Sequence, residues 1–181
     1  MMSLVEAARA KDYPVAIACV VSNRPDAKGL EFAKANGIVT KVIDHKAFAS
    51  REAFDAALGQ FLKEQKLDLI ACAGFMRIMT PQLINAWSDR MLNIHPSLLP
   101  AYRGLHTHER ALAAGAKVHG CTVHIVTAEL DDGPIILQAE VPVLMNDTPE
   151  TLAARVLKEE HRIYPQALAK VARELQAKTS T

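Results

Sequence analysis

Val15-Ala16-Ile17-Ala18-Cys19-Val20-Val21 is an unbroken apolar run far too short to cross a membrane. It reads as a strand buried on both faces, the pattern of a parallel sheet covered by helices. Working outward, Ser3 to Lys11 reads as a helix before it, and Asn23-Arg24-Pro25-Asp26 makes a turn after it. Gly29 to Asn36 is then helical and stops at Gly37, and Val39 to Ile43 is a strand. Arg51 to Gln65 is an amphipathic helix, and Leu67-Asp68-Leu69-Ile70-Ala71-Cys72-Ala73 is strand again. Thr80-Pro81 caps and opens a helix to about Trp87. Strands alternating with helices imply βα units and a parallel sheet.

The rhythm then changes. After a strand ending at His95 and a short helix from Thr107 to about Gly115, Val118 to Thr127 and Ile135 to Val143 are close enough in sequence to pair as a long hairpin. Thr148-Pro149 starts a final helix, which Pro165 is expected to kink or restart, ahead of a frayed tail from Lys178 to Thr181. The expected fold class is α/β, doubly wound around a mainly parallel sheet, with a C-terminal antiparallel strand pair and a long final helix.

Composition narrows the partners. The chain has 181 residues, 50% hydrophobic and 23% charged, which suits one domain with a sizeable core. A net charge of +1 without a long basic run gives no electrostatic footprint for nucleic acid or a lipid surface. Small molecules are the expected partners, the cytoplasm the expected compartment, and a monomer or weak homodimer the expected state. Cys19, Cys72 and Cys121 lie in apolar runs at no metal-ligand spacing, so free buried thiols are expected.

Chemistry concentrates in Met91-Leu92-Asn93-Ile94-His95-Pro96-Ser97-Leu98-Leu99-Pro100. Side chains alternate along a strand, so Asn93 and His95 share one face while Ile94 points into packing. Pro96 ends the ladder and puts the pair at a strand-to-loop junction, where open α/β sheets bind ligands. An Asn amide donates to the oxyanion that forms when a carbonyl carbon is attacked, and loss of such a donor costs about 2.7–4 kcal/mol of transition-state stabilisation. His carries protons near neutral pH. Asp131, in Leu130-Asp131-Asp132-Gly133-Pro134, supplies the carboxylate that favours a protonated His95. Taken alone, each of these is an ordinary turn or core residue; together they read as acyl or formyl transfer without a protein nucleophile. His106, His108, His119 and His124 lack the Cys or carboxylate spacing that would complete a metal site. His124, on one strand face with Thr122 and Val126, is expected to line the cleft and support its polar groups.

With Gly104-Leu105-His106-Thr107-His108 added, these two segments resemble the phosphoribosylglycinamide formyltransferases, which use 10-formyltetrahydrofolate in purine synthesis. The likeness runs to about Pro165. It implies a Rossmann-like formyltransferase domain over residues 1–181, with Asn93, His95 and Asp131 catalytic and no metal. It implies that Met76, Arg77, Ile78 and Met79, together with Thr127, Ala128, Glu129 and Leu130, hold the pterin ring, with Arg51 near the glutamate tail of the folate. Glu160 falls where the family binds the ribose hydroxyls of the glycinamide substrate, and Pro96 joins it on the ribonucleotide side.

The resemblance also implies an apolar strand and a phosphate-gripping Gly-Ser-Asn loop ahead of the Ser3 helix. Neither occurs in this sequence, whose first glycine is Gly29, so the domain is expected to be N-terminally truncated relative to the family and to grip substrate phosphate weakly. Two rivals share the site residues or the fold: a formyltetrahydrofolate hydrolase and a non-catalytic folate-binding protein.

Overall fold

The computed structural model describes residues 1–179. The elements run Met2–Ala7 (α1), Cys19–Ser22 (β1), Lys28–Ala35 (α2), Val39–Val42 (β2), Arg51–Glu64 (α3), Ile70–Cys72 (β3), Pro81–Ala86 (α4), Met91–His95 (β4), Thr107–Ala113 (α5), Val118–Ile125 (β5), Ile135–Pro142 (β6) and Pro149–Thr179 (α6). Their ends follow local chemistry. The Ser50 hydroxyl accepts from the Ala53 N–H at 3.1 Å to start α3, and the Thr80 hydroxyl accepts from the Leu83 N–H at 3.3 Å ahead of Pro81. Gly37, at φ +70°, lets the chain leave α2 through a left-handed turn.

Alternation along β4 builds the core. Met91 packs with Phe54, Leu58 and Leu62 of α3 and Leu83 of α4. Its neighbour Leu92 points the other way, into a cluster with Leu152, Val156, Ile163 and Leu168 of α6. Successive residues therefore bury opposite faces, and helices cover both, as the α/β reading requires.

The strands form two ladders rather than one mainly parallel sheet. One is the parallel pair β1-β2; the other runs β3-β4-β5-β6, parallel between β3 and β4 and antiparallel from β4 onward. Between β1 and β3 lies a cavity of about 1480 Å³ bordered by Val15, Ile17, Leu69 and Ala71. That cavity explains several departures from the sequence reading. Val15 to Ala18 and Leu67 to Leu69 have no ladder partner, so the expected strands shorten to Cys19–Ser22 and Ile70–Cys72. Ala16 and Ala18 are exposed instead of buried, and Cys19 and Cys72 are half-buried, while Cys121 is fully buried; all three thiols are free.

The ends differ as well. The first helix stops at Ala7 instead of Lys11, because Leu4 and Val5 are its buried residues and from Arg9 the chain faces solvent. Pro165 does not restart α6, which runs unbroken from Pro149 to Thr179. An interior proline costs about 3 kcal/mol. Ile163, Tyr164, Ala167, Leu168 and Val171 around it are all buried, and burying each large apolar side chain contributes about 1.5–3 kcal/mol, so packing outweighs the defect. Lys178 and Thr179 belong to this helix; the rest of the expected frayed tail, Ser180 and Thr181, lies outside the described residues.

Tyr164 ties the final helix to the sheet. Its hydroxyl lies 2.6 Å from the Cys72 carbonyl and 3.2 Å from the Leu92 carbonyl, bridging β3 and β4, and burial holds the phenol well above its usual pKa. Tyr164→Phe leaves those carbonyls short of a donor, so urea denaturation is expected to show a loss of about 1–3 kcal/mol at unchanged m-value. An unchanged midpoint would deny the bridge its role.

Candidate active site

The register of β4 on β5 assembles the site. Asn93 lies opposite His124 and His95 opposite Thr122, all on neighbouring antiparallel strands. The turn after β5 then brings back Asp131. Its carboxylate lies 3.4 Å from His95 Nδ1 and 3.7 Å from His124 Nε2, and the Gly104 N–H donates to it at 2.9 Å. Asn93, His95 and Asp131 are thus brought together, with His124 among them.

Hydrogen-bond partners distinguish the two rings. His124 Nδ1 lies 2.9 Å from the Ile125 carbonyl, which can only accept, so Nδ1 carries a proton. Burial lowers the pKa of His124, against smaller opposing effects from that carbonyl and from Asp131, and keeps the ring neutral. Its bare Nε2 then accepts from Asn93 Nδ2 at 3.4 Å. One N–H of the Asn93 amide is engaged and the other is left for a ligand. His95 differs: Nε2 faces the Tyr102 carbonyl at 3.0 Å and Nδ1 faces the Asp131 carboxylate. Both nitrogens face acceptors, unlike those of His124.

Backbone geometry supports this placement. Asp131 sits at φ +50°, a left-handed conformation that Asp tolerates better than most residues. Two residues on, a Cβ on Gly133 would collide with the Ile125 carbonyl oxygen, so only glycine lets the loop press against β5. Thr122 secures the other wall. Its hydroxyl donates to the Ser97 carbonyl at 2.7 Å and accepts from the Leu99 N–H at 3.0 Å and Gln138 Nε2 at 2.9 Å. Two of these three bonds hold the segment that follows His95, and the third joins it to β6, where Gln138 Nε2 also donates to the Leu99 carbonyl at 2.9 Å. The sequence marks Thr122 through its alternation with His124 and Gly104 as part of a motif without a role, whereas Gln138 and Tyr102 act through contacts that no local pattern announces.

Of the remaining expected site residues, some adjoin this group and others sit elsewhere on the fold. Met76 and Ile78 are exposed, and the Arg77 guanidinium lies over the Phe54 ring at 5.5 Å to its centroid. Met79 packs into the core beneath α3 and α4. Thr127 is half-buried, and Ala128, Glu129 and Leu130 are exposed in the loop leading to Asp131. Arg51 is exposed at the start of α3 beside Glu52. Glu160 is half-buried on the face of α6 that carries Val156 and Ile163; burial raises its pKa, and the amino group of Met1 opposes that rise. Pro96 is half-buried at the end of β4. Among the described residues, neither Arg51 nor Glu160 hydrogen-bonds the Asn93, His95 and Asp131 group.

Comparison with known proteins identifies the family. The formyl transferase family pattern matches residues 1–168. The chain belongs to the formyl transferase family. The phosphoribosylglycinamide formyltransferase of Escherichia coli (strain K12) is 44% identical over 169 residues, 93% of this chain and 80% of that protein. A crystal structure of the phosphoribosylglycinamide formyltransferase from Brucella melitensis is 54% identical and superposes with a TM-score of 0.90, over 94% of this chain and 88% of that one. The trifunctional purine biosynthetic protein adenosine-3 of Bos taurus is 45% identical over 172 residues; the chain spans 17% of its length. The formyl transferase fold is therefore the α/β fold described above, with its antiparallel strands and long final helix. Among the described residues no group of His, Cys, Asp and Glu is arranged to hold a metal ion, and no helix is long and apolar enough to cross a membrane.

A second histidine pair flanks the site. His108 Nδ1 and His119 Nε2 are 3.1 Å apart, so one must donate and the other accept, and the pair is neutral. Burial, and then the neighbouring His108 and His95, push His119 down to about 4. An unfolded His119 binds its proton near pH 6.5 and the folded one near pH 4, so the unfolded state takes up more protons between those values. Stability from this group is complete above about pH 6.5 and declines as pH falls toward 4. Melting temperature should fall over that window, and His119→Gln should flatten the slope; a His119→Gln profile parallel to the parent's would remove His119 as the cause.

Proposed function

We propose that the chain transfers the formyl group of 10-formyltetrahydrofolate to the primary amine of phosphoribosylglycinamide, a step of purine biosynthesis. The observation that carries the reading is the half-engaged Asn93 amide beside the His95–Asp131 pair, in a site without a usable protein nucleophile. Ser97 is buried and donates its hydroxyl to the Ala101 carbonyl at 2.6 Å. Burial pushes the Cys121 thiol up to about 12. Direct attack by the substrate amine is then the route that needs no covalent enzyme intermediate.

In that route the amine nitrogen bonds to the formyl carbon, and the carbonyl electrons move onto oxygen. The free N–H of Asn93 donates to this oxyanion, and the His95 cation lies beside it. The tetrahedral intermediate collapses by breaking the bond to the folate nitrogen. The proton lost by the amine passes, through water held by Asp131, to that leaving nitrogen. Holding both substrates in this geometry supplies much of the rate. Met76 to Met79 and Thr127 to Leu130 would cradle the pterin, Arg51 would meet the glutamate tail, and Glu160 and Pro96 would face the ribonucleotide. The same reading places the protein in the cytoplasm as a monomer or weak homodimer.

Asn93→Ala, His95→Ala and Asp131→Asn should each lower kcat by about 10²- to 10³-fold with folate KM little changed, since their work is done in the transition state. Their effects should not add. Turnover is followed by folate absorbance, and near-parent turnover in any of the three would overturn the assignment. Consumption of 10-formyltetrahydrofolate should require phosphoribosylglycinamide; equal consumption without the amine would make the protein a hydrolase, and tight folate binding without consumption a binding protein.

A further inference from the structure

Arg110 sits outside the group assigned above, on the exposed face of α5, yet its contacts lead back to both nitrogens of His95. Its Nη1 donates to the Arg103 carbonyl at 2.6 Å and to the Leu105 carbonyl at 3.2 Å. The Arg103 carbonyl and the Gly104 N–H are the two ends of one planar peptide unit, so gripping the oxygen fixes the direction of the N–H. That N–H is the donor to Asp131 Oδ2 at 2.9 Å, and the same oxygen faces His95 Nδ1 at 3.4 Å. A cation on the carbonyl end also polarises the peptide and strengthens its N–H as a donor. The second route is shorter. The Arg110 guanidinium lies over the Tyr102 ring at 5.6 Å to its centroid, and the Tyr102 carbonyl is the partner of His95 Nε2 at 3.0 Å.

The loop so gripped would not hold this shape unaided. Tyr102, Gly104 and His106 all adopt positive φ, +55°, +78° and +57°. Two non-glycine residues in that region are strained together, and one neutral hydrogen bond does not offset both. Charge-assisted bonds from a guanidinium are the stronger kind, and here Nη1 alone donates to both carbonyls. The Arg103–Asp132 ion pair adds a clamp from the Asp131 loop on the other side.

We infer that Arg110 is a positioning residue for formyl transfer: by clamping the 102–105 loop it aims the Gly104 N–H at Asp131 and the Tyr102 carbonyl at His95, and so holds the imidazolium in place. The inference rests on the reaction proposed above, and its test includes a reading that does not. Arg110→Met and Arg110→Lys are compared with the parent by steady-state kinetics, thermal melting and NMR of the histidine ring N–H protons, with the His95 resonance assigned from its loss in His95→Gln. Arg110→Met should melt near the parent and lower kcat about tenfold with both KM values within about twofold, as a slight misplacement of a reacting group does. Arg110→Lys should recover part of the loss, having charge without the planar guanidinium. In Arg110→Met the slowly exchanging Nε2–H signal of His95 should exchange fast or vanish. An unchanged His95 signal overturns the inference whatever the reaction, and so does a kcat unchanged or raised, or a loss confined to KM. If the parent shows no formyl transfer, the proposed reaction fails while the His95 signal still decides the clamp.

Discussion

The register of β4 against β5 is the constraint on which both core and site depend. Successive residues of β4 face opposite ways, so Met91 and Leu92 reach the two apolar cores while Asn93 and His95 emerge together over the cleft. A slip of one residue would turn Asn93 and His95 toward the core under α6 and Leu92 and Ile94 away from it. Either error is expensive: an unpaired buried polar group costs about 1–3 kcal/mol and the lost apolar burial a similar amount per side chain. Fold stability and site assembly thus select the same register.

Within the site, electrostatic roles are divided by burial and by partner. His124 is buried against a carbonyl and stays neutral, which frees its second nitrogen to orient an amide. His95 has a carboxylate on one side and a carbonyl on the other, so both of its nitrogens face acceptors. Two histidines on adjacent strands therefore do opposite work without any difference in their side chains. Thr122 completes the division: its hydroxyl bonds Ser97 and Leu99 of the turn after Pro96 and accepts from Gln138 of β6, which ties that turn to the sheet.

Much of this was legible in the sequence because it is local. The helix over Arg51–Glu64 follows from its amphipathic spacing, and the Val118–Pro142 hairpin from two strand-like runs close enough in sequence to pair. Asn93, His95 and Asp131 were legible as a group through two loop motifs. Tyr102, Gln138 and Arg110 were not, nor was the role of Gly104, because they act through main-chain groups or across the fold. The strand lengths around Cys19 and Ile70 were also misread, for apolar content marks a segment that wants burial but not whether a ladder partner lies beside it. Pro165 misleads in the other direction: the local rule is right about the defect and silent about the packing that outweighs it.

Of the five non-glycine residues described at positive φ, Lys66 and Asp89 lie elsewhere and three lie where the chemistry is. Tyr102, His106 and Asp131 are non-glycine residues in the left-handed region, and all three lie within the two loops that converge on His95. At about 1–2 kcal/mol each, their strain amounts to a sizeable part of the roughly 5–15 kcal/mol that holds a domain folded, so the rest of the structure must oppose it. What opposes it is visible: the Arg103–Asp132 pair joins the two loops, the Gly104 N–H meets Asp131, and Arg110 grips the carbonyls between. The strain and its restraints together leave the imidazole and the carboxylate little freedom to reorient. A site preorganised in this way meets a developing oxyanion without first rearranging, and its groups need not move when the charge appears.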